Sequence, residues 1–425
     1  MSLSPDSLPL PGDKPRTMLD GWLRRRLLQR LAPLRHGALQ LEDAWGSQRL
    51  GVPTDPAPVQ LRVNDARFYR ALALGGSVGA GDAYGDGLWH SDDLVGLVRL
   101  LLRNRELLDA METGTARIGA AALGAWHALR DNTRAGARRN IAAHYDLGNE
   151  FFGLFLSPDL MYSSALWADG DTLEQASTRK LDAVCRKLGL GSGHHVLEIG
   201  TGWGGFALHA ARRYGCRVTT TTISREQHAL ACERIARAGL QDRVSVLLED
   251  YRDLQGRYDR VVSIEMIEAI GARHQETYFA RIGALLEDDG QALVQAITIE
   301  DHRYARALRS VDFIQRYVFP GSFIPSIQGM LAAKTRAGDL QLVHLEDFGL
   351  SYARTLRAWR ERFLAAREQA RALGYDERFL RLWEFYLAYC EGGFLERSIG
   401  VSHLLLARPG ARPARGDRWV EAGVG

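Results

Sequence analysis

His195-Val196-Leu197-Glu198-Ile199-Gly200-Thr201-Gly202-Trp203-Gly204-Gly205 is the stretch on which the fold turns. An apolar strand, 195–199, runs into a glycine-rich turn that opens directly into a helix over 205–214. Glycines at such a turn let the backbone approach a ligand closely. Further strands are expected at 217–222, 244–248, 260–264 and 292–297, with helices at 225–238 and 274–286. This β-α alternation predicts an α/β class with a doubly wound parallel sheet. Residues 342–344 and 401–407 are candidates for its last two strands. The helical stretch between them, 355–395, is too long for a simple crossover and is expected to cap the sheet's carboxyl edge.

A length of 425 residues points to two or three domains. With 46% hydrophobic and 25% charged residues, a wholly disordered chain is excluded. No apolar run approaches the roughly 18 residues of a membrane span; the richest stretch, 118–129, is interrupted by His127. Asp6, Asp13, Lys14 and Asp20 break any signal-peptide core, so a cytoplasmic protein is expected. The net charge of +3 and the lack of a basic tail argue against nucleic-acid binding. Cys185, Cys216, Cys232 and Cys390 show no paired spacing, which argues against a metal site and a disulfide framework.

The expected organisation is a flexible N-terminus (1–18), a small α+β domain (19–125), a linker (126–140), the large α/β domain (141–408) and a flexible tail (409–425). The small domain contains a helix over 19–31, an extended piece at 59–63, a glycine-rich stretch at 75–81 and a helix over 93–103. Arg117, Arg130, Arg134, Arg138 and Arg139 give the linker region a basic face that suits either solvent or an anionic bilayer.

Gly200, Gly202 and Gly205 satisfy Gly-x-Gly-x-x-Gly, a spacing shared with nicotinamide dehydrogenases. The second strand, however, ends in Thr220-Thr221-Thr222-Ile223-Ser224-Arg225-Glu226-Gln227, with no acid on the strand for a ribose. The third ends in Glu249-Asp250-Tyr251, an acceptor for an adenine amino group beside a ring for stacking. That pattern favours S-adenosylmethionine over NAD.

Several ordered segments carry a resemblance. They include His144-Tyr145-Asp146-Leu147-Gly148-Asn149-Glu150-Phe151-Phe152, Met161-Tyr162-Ser163-Ser164-Ala165-Leu166-Trp167, the glycine-rich turn, Thr222-Ile223-Ser224-Arg225-Glu226-Gln227, Phe319-Pro320-Gly321-Ser322-Phe323 and Tyr389-Cys390-Glu391-Gly392-Gly393-Phe394. From about residue 140 to 407 the chain resembles the cyclopropane fatty acid synthases and the related mycolic acid methyltransferases. Gly81-Asp82-Ala83-Tyr84-Gly85-Asp86-Gly87-Leu88-Trp89 is similar to that family's N-terminal lipid-associated domain.

The resemblance implies a Rossmann-like class I methyltransferase fold with a helical cap insertion and S-adenosylmethionine as donor. The acceptor it implies is the cis double bond of an unsaturated phospholipid acyl chain at a membrane surface, converted through a carbocation to a cyclopropane. Donor contacts carried over are Tyr162, Ser163, Gly200, Gly202, Thr222, Gln227, Asp250, Tyr251 and Ile264. The family's base is a bicarbonate held by a Cys, a Glu, a His, an Ile backbone and a Tyr. Glu268, Ile297 and Tyr352 match three of these, while Ser164 stands at the Cys position and Gln295 at the His position. Ser and Gln still donate hydrogen bonds to an anion, so bicarbonate stays open; so does Glu268, or another group, as the base.

Glu265 stands where the family often has Gly. It reads as a charge partner for the sulfonium, a ribose acceptor or a solvated loop acid. A changed base allows a methylene or methyl-branched product instead of a ring. An oxidoreductase and a silent lipid-binding protein are the readings from other classes. No transmembrane helix is expected, so the small domain and the Arg-rich linker are the candidates for peripheral membrane contact. A homodimer is one open assembly.

Overall fold

Short amphipathic strands and capped helices build the N-terminal part. The computed structural model describes residues 17–52, 57–106 and 148–412. The linker 126–140, its Arg-rich surroundings, His144–Leu147 of the first quoted segment, 1–16 and 413–425 lie outside the described residues. The chain divides into two compact units, Met1–Leu123 with Gly374–Gly392, and Gly124–Leu373 with Gly393–Gly425.

In the first unit, Thr17 and Asp20 form a reciprocal capping box that starts the helix Met18–Leu31. Strands β1 (Ala38–Asp43), β2 (Gly46–Gly51), β3 (Val59–Val63) and β4 (Trp89–His90) form a sheet in the order β2-β1-β3-β4. The glycine-rich stretch proves to be the middle of the helix Arg67–Gly85, broken at Gly76, where φ is 53°. Most of the helix Glu377–Leu395 belongs to this unit as well. Phe385 packs on Tyr84 and Trp89, with ring centroids 5.5 and 6.0 Å away. Arg378 pairs with Asp82 and Asp86. The stretch 355–395, expected as one cap, is therefore divided: aromatic packing and two ion pairs draw residues 374–392 into the first unit.

The second unit is built on β5 (His195–Ile199), β6 (Arg217–Thr222), β7 (Val244–Leu248), β8 (Tyr258–Ile264), β9 (Leu286–Ile299), β10 (Gln341–Asp347) and β11 (Ile399–Ala407). Their order is β10-β11-β9-β8-β5-β6-β7. The pairs from β9 through β8, β5 and β6 to β7 are parallel, and β11 runs antiparallel between β9 and β10. The sheet is thus mixed at that one strand, not wholly parallel as expected.

Alternate side chains feed two cores, as the strand period of two requires. Leu197, Ile199, Val261, Val294 and Leu404 pack on one face with Tyr278, Phe279 and Ile282 from the helix Gln275–Leu285. Val196, Val262, Leu293 and Leu405 pack on the other with Leu181, Val184, Phe206 and Ala207, from the helices Leu173–Lys187 and Gly205–Tyr214. Helices on both faces leave the carboxyl edge open at β5, where strand order reverses, and that is where an open α/β sheet binds ligands.

Candidate active site

Gly200, Gly202 and Gly204 all have positive φ, at 100°, 52° and 83°. Gly205 is required for a second reason: a Cβ there would lie 2.5 Å from Met161 Sδ and 2.7 Å from the Asp159 carbonyl oxygen. The turn is held to β6 by Gly200 and Thr201 N–H groups donating to the Thr221 carbonyl.

The other expected donor residues gather at the ends of the neighbouring strands. Thr222 donates to Gln227 at 2.8 Å, and both are buried. Asp250 accepts from Arg252 through both of its oxygens, at 2.8 and 2.7 Å, so the aspartate reads as already paired. Tyr251 is packed edge-on to Tyr278, with its hydroxyl buried and unpartnered. Ser163 accepts from Lys180 at 2.9 Å. Lys180 is fully buried, and desolvation lowers its pKa to about 8. Burial raises Glu198 of β5 to about 8, against the opposing effect of its hydrogen bond from Thr220.

Beside this donor side, at the end of β8, the backbone bends at Glu265 with φ of 49°. Positive φ is costly for a residue with a side chain and persists where surrounding structure over-determines it, at about 1–3 kcal/mol. What determines it is visible. Glu265 Oε1 accepts from the Ser164 backbone N–H at 2.8 Å and from Gln295 Nε2 at 2.7 Å, and Oε2 accepts from the Tyr352 hydroxyl at 2.7 Å. The residue keeps some accessible surface, yet burial of its carboxyl end pushes its pKa up, against the pull of those hydrogen bonds. Glu265 is therefore no solvated loop acid.

Glu268, three residues on, accepts from the Ile297 backbone N–H at 2.6 Å through Oε1, while Oε2 is buried without a partner. Burial first, and the charge of Glu265 second, raise it to about 8. Of the residues expected to hold a bicarbonate, Ser164, Gln295 and Tyr352 thus converge on one point, and Glu268 and Ile297 bond to each other beside it. The point of convergence holds the Glu265 carboxylate. The Ser164 hydroxyl is turned to the Ala165 carbonyl instead. With those donors engaged, the set does not fit a bicarbonate.

Aromatic rings continue from this point. Tyr352 lies 6.1 Å from Trp359, Trp359 lies 5.4 Å from Tyr162, and Tyr162 lies 5.1 Å from Phe152 and 6.2 Å from Phe319. The helix Gly349–Ala365 supplies Tyr352 and Trp359, and Thr355 on the same face accepts from the Ala165 N–H and the Trp167 indole.

Sequence reasoning passed over Trp359, Lys180, Lys187 and His403. His403 Nε2 lies 2.9 Å from Gln295 Oε1, and its Nδ1 lies 2.8 Å from Lys187 Nζ. Lys187 also pairs with Glu346. A signal existed: the chain has only four lysines, and Lys180 and Lys187 stand two turns apart on one helix. His403, the one ionisable residue of the mostly apolar β11, was another.

A family model described as mycolic acid cyclopropane synthetase matches residues 132–404. A tuberculostearic acid methyltransferase of Mycobacterium tuberculosis is 38% identical over 91% of this chain and 91% of its own. The cyclopropane-fatty-acyl-phospholipid synthase of Escherichia coli is 37% identical over 83% of this chain and 88% of its own. Among solved structures, a cyclopropane synthase from Mycobacterium tuberculosis superposes with a TM-score of 0.60 at 30% identity, covering 64% of this chain and 98% of that one. A mycolic acid cyclopropane synthase complexed with SAH and CTAB does so with a TM-score of 0.59 at 30% identity and the same coverage. With a class I methyltransferase sheet and a glycine-rich turn at its switch point, the chain belongs to the mycolic acid cyclopropane synthetase family and is an S-adenosylmethionine-dependent lipid methyltransferase.

Proposed function

We propose that the chain adds the methyl carbon of S-adenosylmethionine to the cis double bond of an unsaturated phospholipid acyl chain, through a carbocation, and closes a cyclopropane ring. The observation that carries this reading is the continuity between a buried carboxylate and an aromatic wall, from Glu265 through Tyr352 and Trp359 to Tyr162. An alkene is a weak nucleophile and needs a close, aligned methyl group. The cation it forms needs ring faces and exclusion of water, with an anion at hand for the departing proton.

In this reading the glycine-rich turn, Tyr162, Ser163, Thr222, Gln227, Asp250, Tyr251 and Ile264 hold the donor. Ser164, Gln295 and Tyr352 hold the anionic centre, and Glu268 and Ile297 close its far side. Among the described residues no helix is long and apolar enough to cross a membrane. In this reading the acceptor is met peripherally at a bilayer surface, with the N-terminal unit and the Arg-rich linker as the candidate contacts.

A second reading keeps donor and acceptor but ends in a methyl-branched or methylene chain. It is favoured by the name of the tuberculostearic acid methyltransferase and by Ser164 and Gln295 standing for Cys and His. Proton NMR of lipid extracted after incubation with S-adenosylmethionine and monounsaturated phospholipid vesicles separates the two. Upfield ring protons support the first, vinylidene or methyl-alkene protons the second, and unchanged lipid rejects both.

A further inference from the structure

We infer that the carboxylate of Glu265 is the built-in base of this reaction and that the enzyme needs no free anion; the inference rests on the reaction proposed above.

Polarity is wired toward that carboxylate. Lys187 has only protons to offer, so His403 Nδ1 accepts from it and His403 Nε2 carries the ring proton. The proton on Nε2 is donated to Gln295 Oε1. The amide of Gln295 is thereby locked with its NH2 toward Glu265. The Ser164 N–H and the Tyr352 hydroxyl add donors from two other elements. Donors converging from three directions call for an acceptor with two oxygens. The chain supplies one covalently, at a φ of 49° that a glycine would adopt without strain.

Placement matches the role. Glu265 directly follows Ile264, and Ser164 directly follows Ser163, so two segments assigned to the donor meet at this carboxylate. Glu268 is the weaker candidate: only the Ile297 N–H donates to it and its second oxygen is buried without a partner, whereas three donors hold both oxygens of Glu265.

The step balances without another reactant. The alkene π pair forms the bond to the donor methyl as the carbon–sulfur bond breaks, its electrons passing to sulfur. Glu265 removes a proton from the new methyl group, and that C–H pair closes the ring on the cationic carbon. The protonated carboxyl then yields its proton to water.

The test follows transfer of labelled methyl from S-adenosylmethionine to dioleoyl phosphatidylglycerol vesicles in carbon-dioxide-free buffer, with and without added bicarbonate. The wild type keeps its full rate without bicarbonate. Glu265→Gly, which relieves the backbone, falls by about 100-fold or more and regains rate when bicarbonate is added. Glu265→Gln falls equally and is not rescued. A second readout is independent of turnover: carbon-13 bicarbonate resonances broaden with Glu265→Gly and stay sharp with the wild type. A bicarbonate requirement in the wild type, a Glu265→Gln rate within about threefold of it, or no broadening with Glu265→Gly overturns the inference. If the wild type binds S-adenosylmethionine but labels no lipid, the proposed reaction has failed, while the resonance comparison still reports on the anion position.

Discussion

The two halves of the carboxyl edge differ in where they place backbone strain. At the ends of β5, β6 and β7, polar side chains pair locally: Thr222 with Gln227, Asp250 with Arg252, and Thr201 with Thr220, itself bonded to Glu198. Strained backbone there falls on glycine. At the ends of β8 and β9, a glutamate occupies a positive φ, two carboxylates lie close enough for one to raise the other, and one buried oxygen goes unpartnered. Both halves carry unfavourable burial, at Glu198 and the Tyr251 hydroxyl on the first and at Glu265 and Glu268 on the second; what differs is that strained backbone falls on glycine in the turn of the first and on an acidic residue in the second.

That contrast breaks first at Gly205. Its missing Cβ lets the helix start against the Asp159 carbonyl and Met161. Gly205→Val is expected to abolish donor binding and, through overpacking, to cost about 1–3 kcal/mol of stability. Calorimetric titration with S-adenosylmethionine and a urea melt measure both; retained binding would mean the turn tolerates displacement.

A smaller effect is expected on the other half. Tyr352→Phe removes one hydrogen bond to a buried carboxylate, at about 1.5–3 kcal/mol, or roughly 10–100-fold in turnover, with donor affinity unchanged. The sign in pH is fixed by the same bond. Tyr352 holds the Glu265 pKa down against burial, so its loss pushes the pKa higher. A base must be ionised, so the acid limb of the turnover profile moves to higher pH. An unmoved limb with reduced turnover would make Tyr352 a packing residue only.

Legibility in the sequence follows the same division. The glycine-rich turn and strands β5 to β9 were readable because glycine, β-branched runs and strand ends have local rules, whereas Tyr162, Ser163, Thr222, Gln227 and Ile264 entered as expected donor contacts through the family resemblance. The direction of β11 was not readable, since a mostly apolar strand of nine residues carries no sign of parallel or antiparallel pairing. Residues 374–392 were misplaced because a long amphipathic helix does not state which core its aromatic face joins. Ser164, Gln295, Tyr352 and Glu268 were found through the family resemblance. Glu265 was noticed as a departure, but its meaning depends on donors separated from it by 101, 30 and 87 positions. The Lys187–His403–Gln295 relay joins three elements across the sheet and follows no spacing rule.

The smallest effect separates the two glutamates. Glu268 is raised from 4.5 to about 8 by burial and by the charge of Glu265. Between those values the folded protein keeps a proton that the unfolded chain has released, so this residue lowers stability as pH rises through the window. The slope is on the order of 1 kcal/mol per pH unit, and it vanishes above about pH 8, where both states are ionised. Glu268→Gln removes the titration, so urea melts at pH 5, 6, 7 and 8 should show the variant losing less stability than the wild type across the series. Parallel curves would mean that Glu268 is ionised in the folded state, with its charge met by the Ile297 N–H. The two carboxylates would then share the anionic role, and the division of labour between Glu265 as base and Glu268 as neutral neighbour would fall.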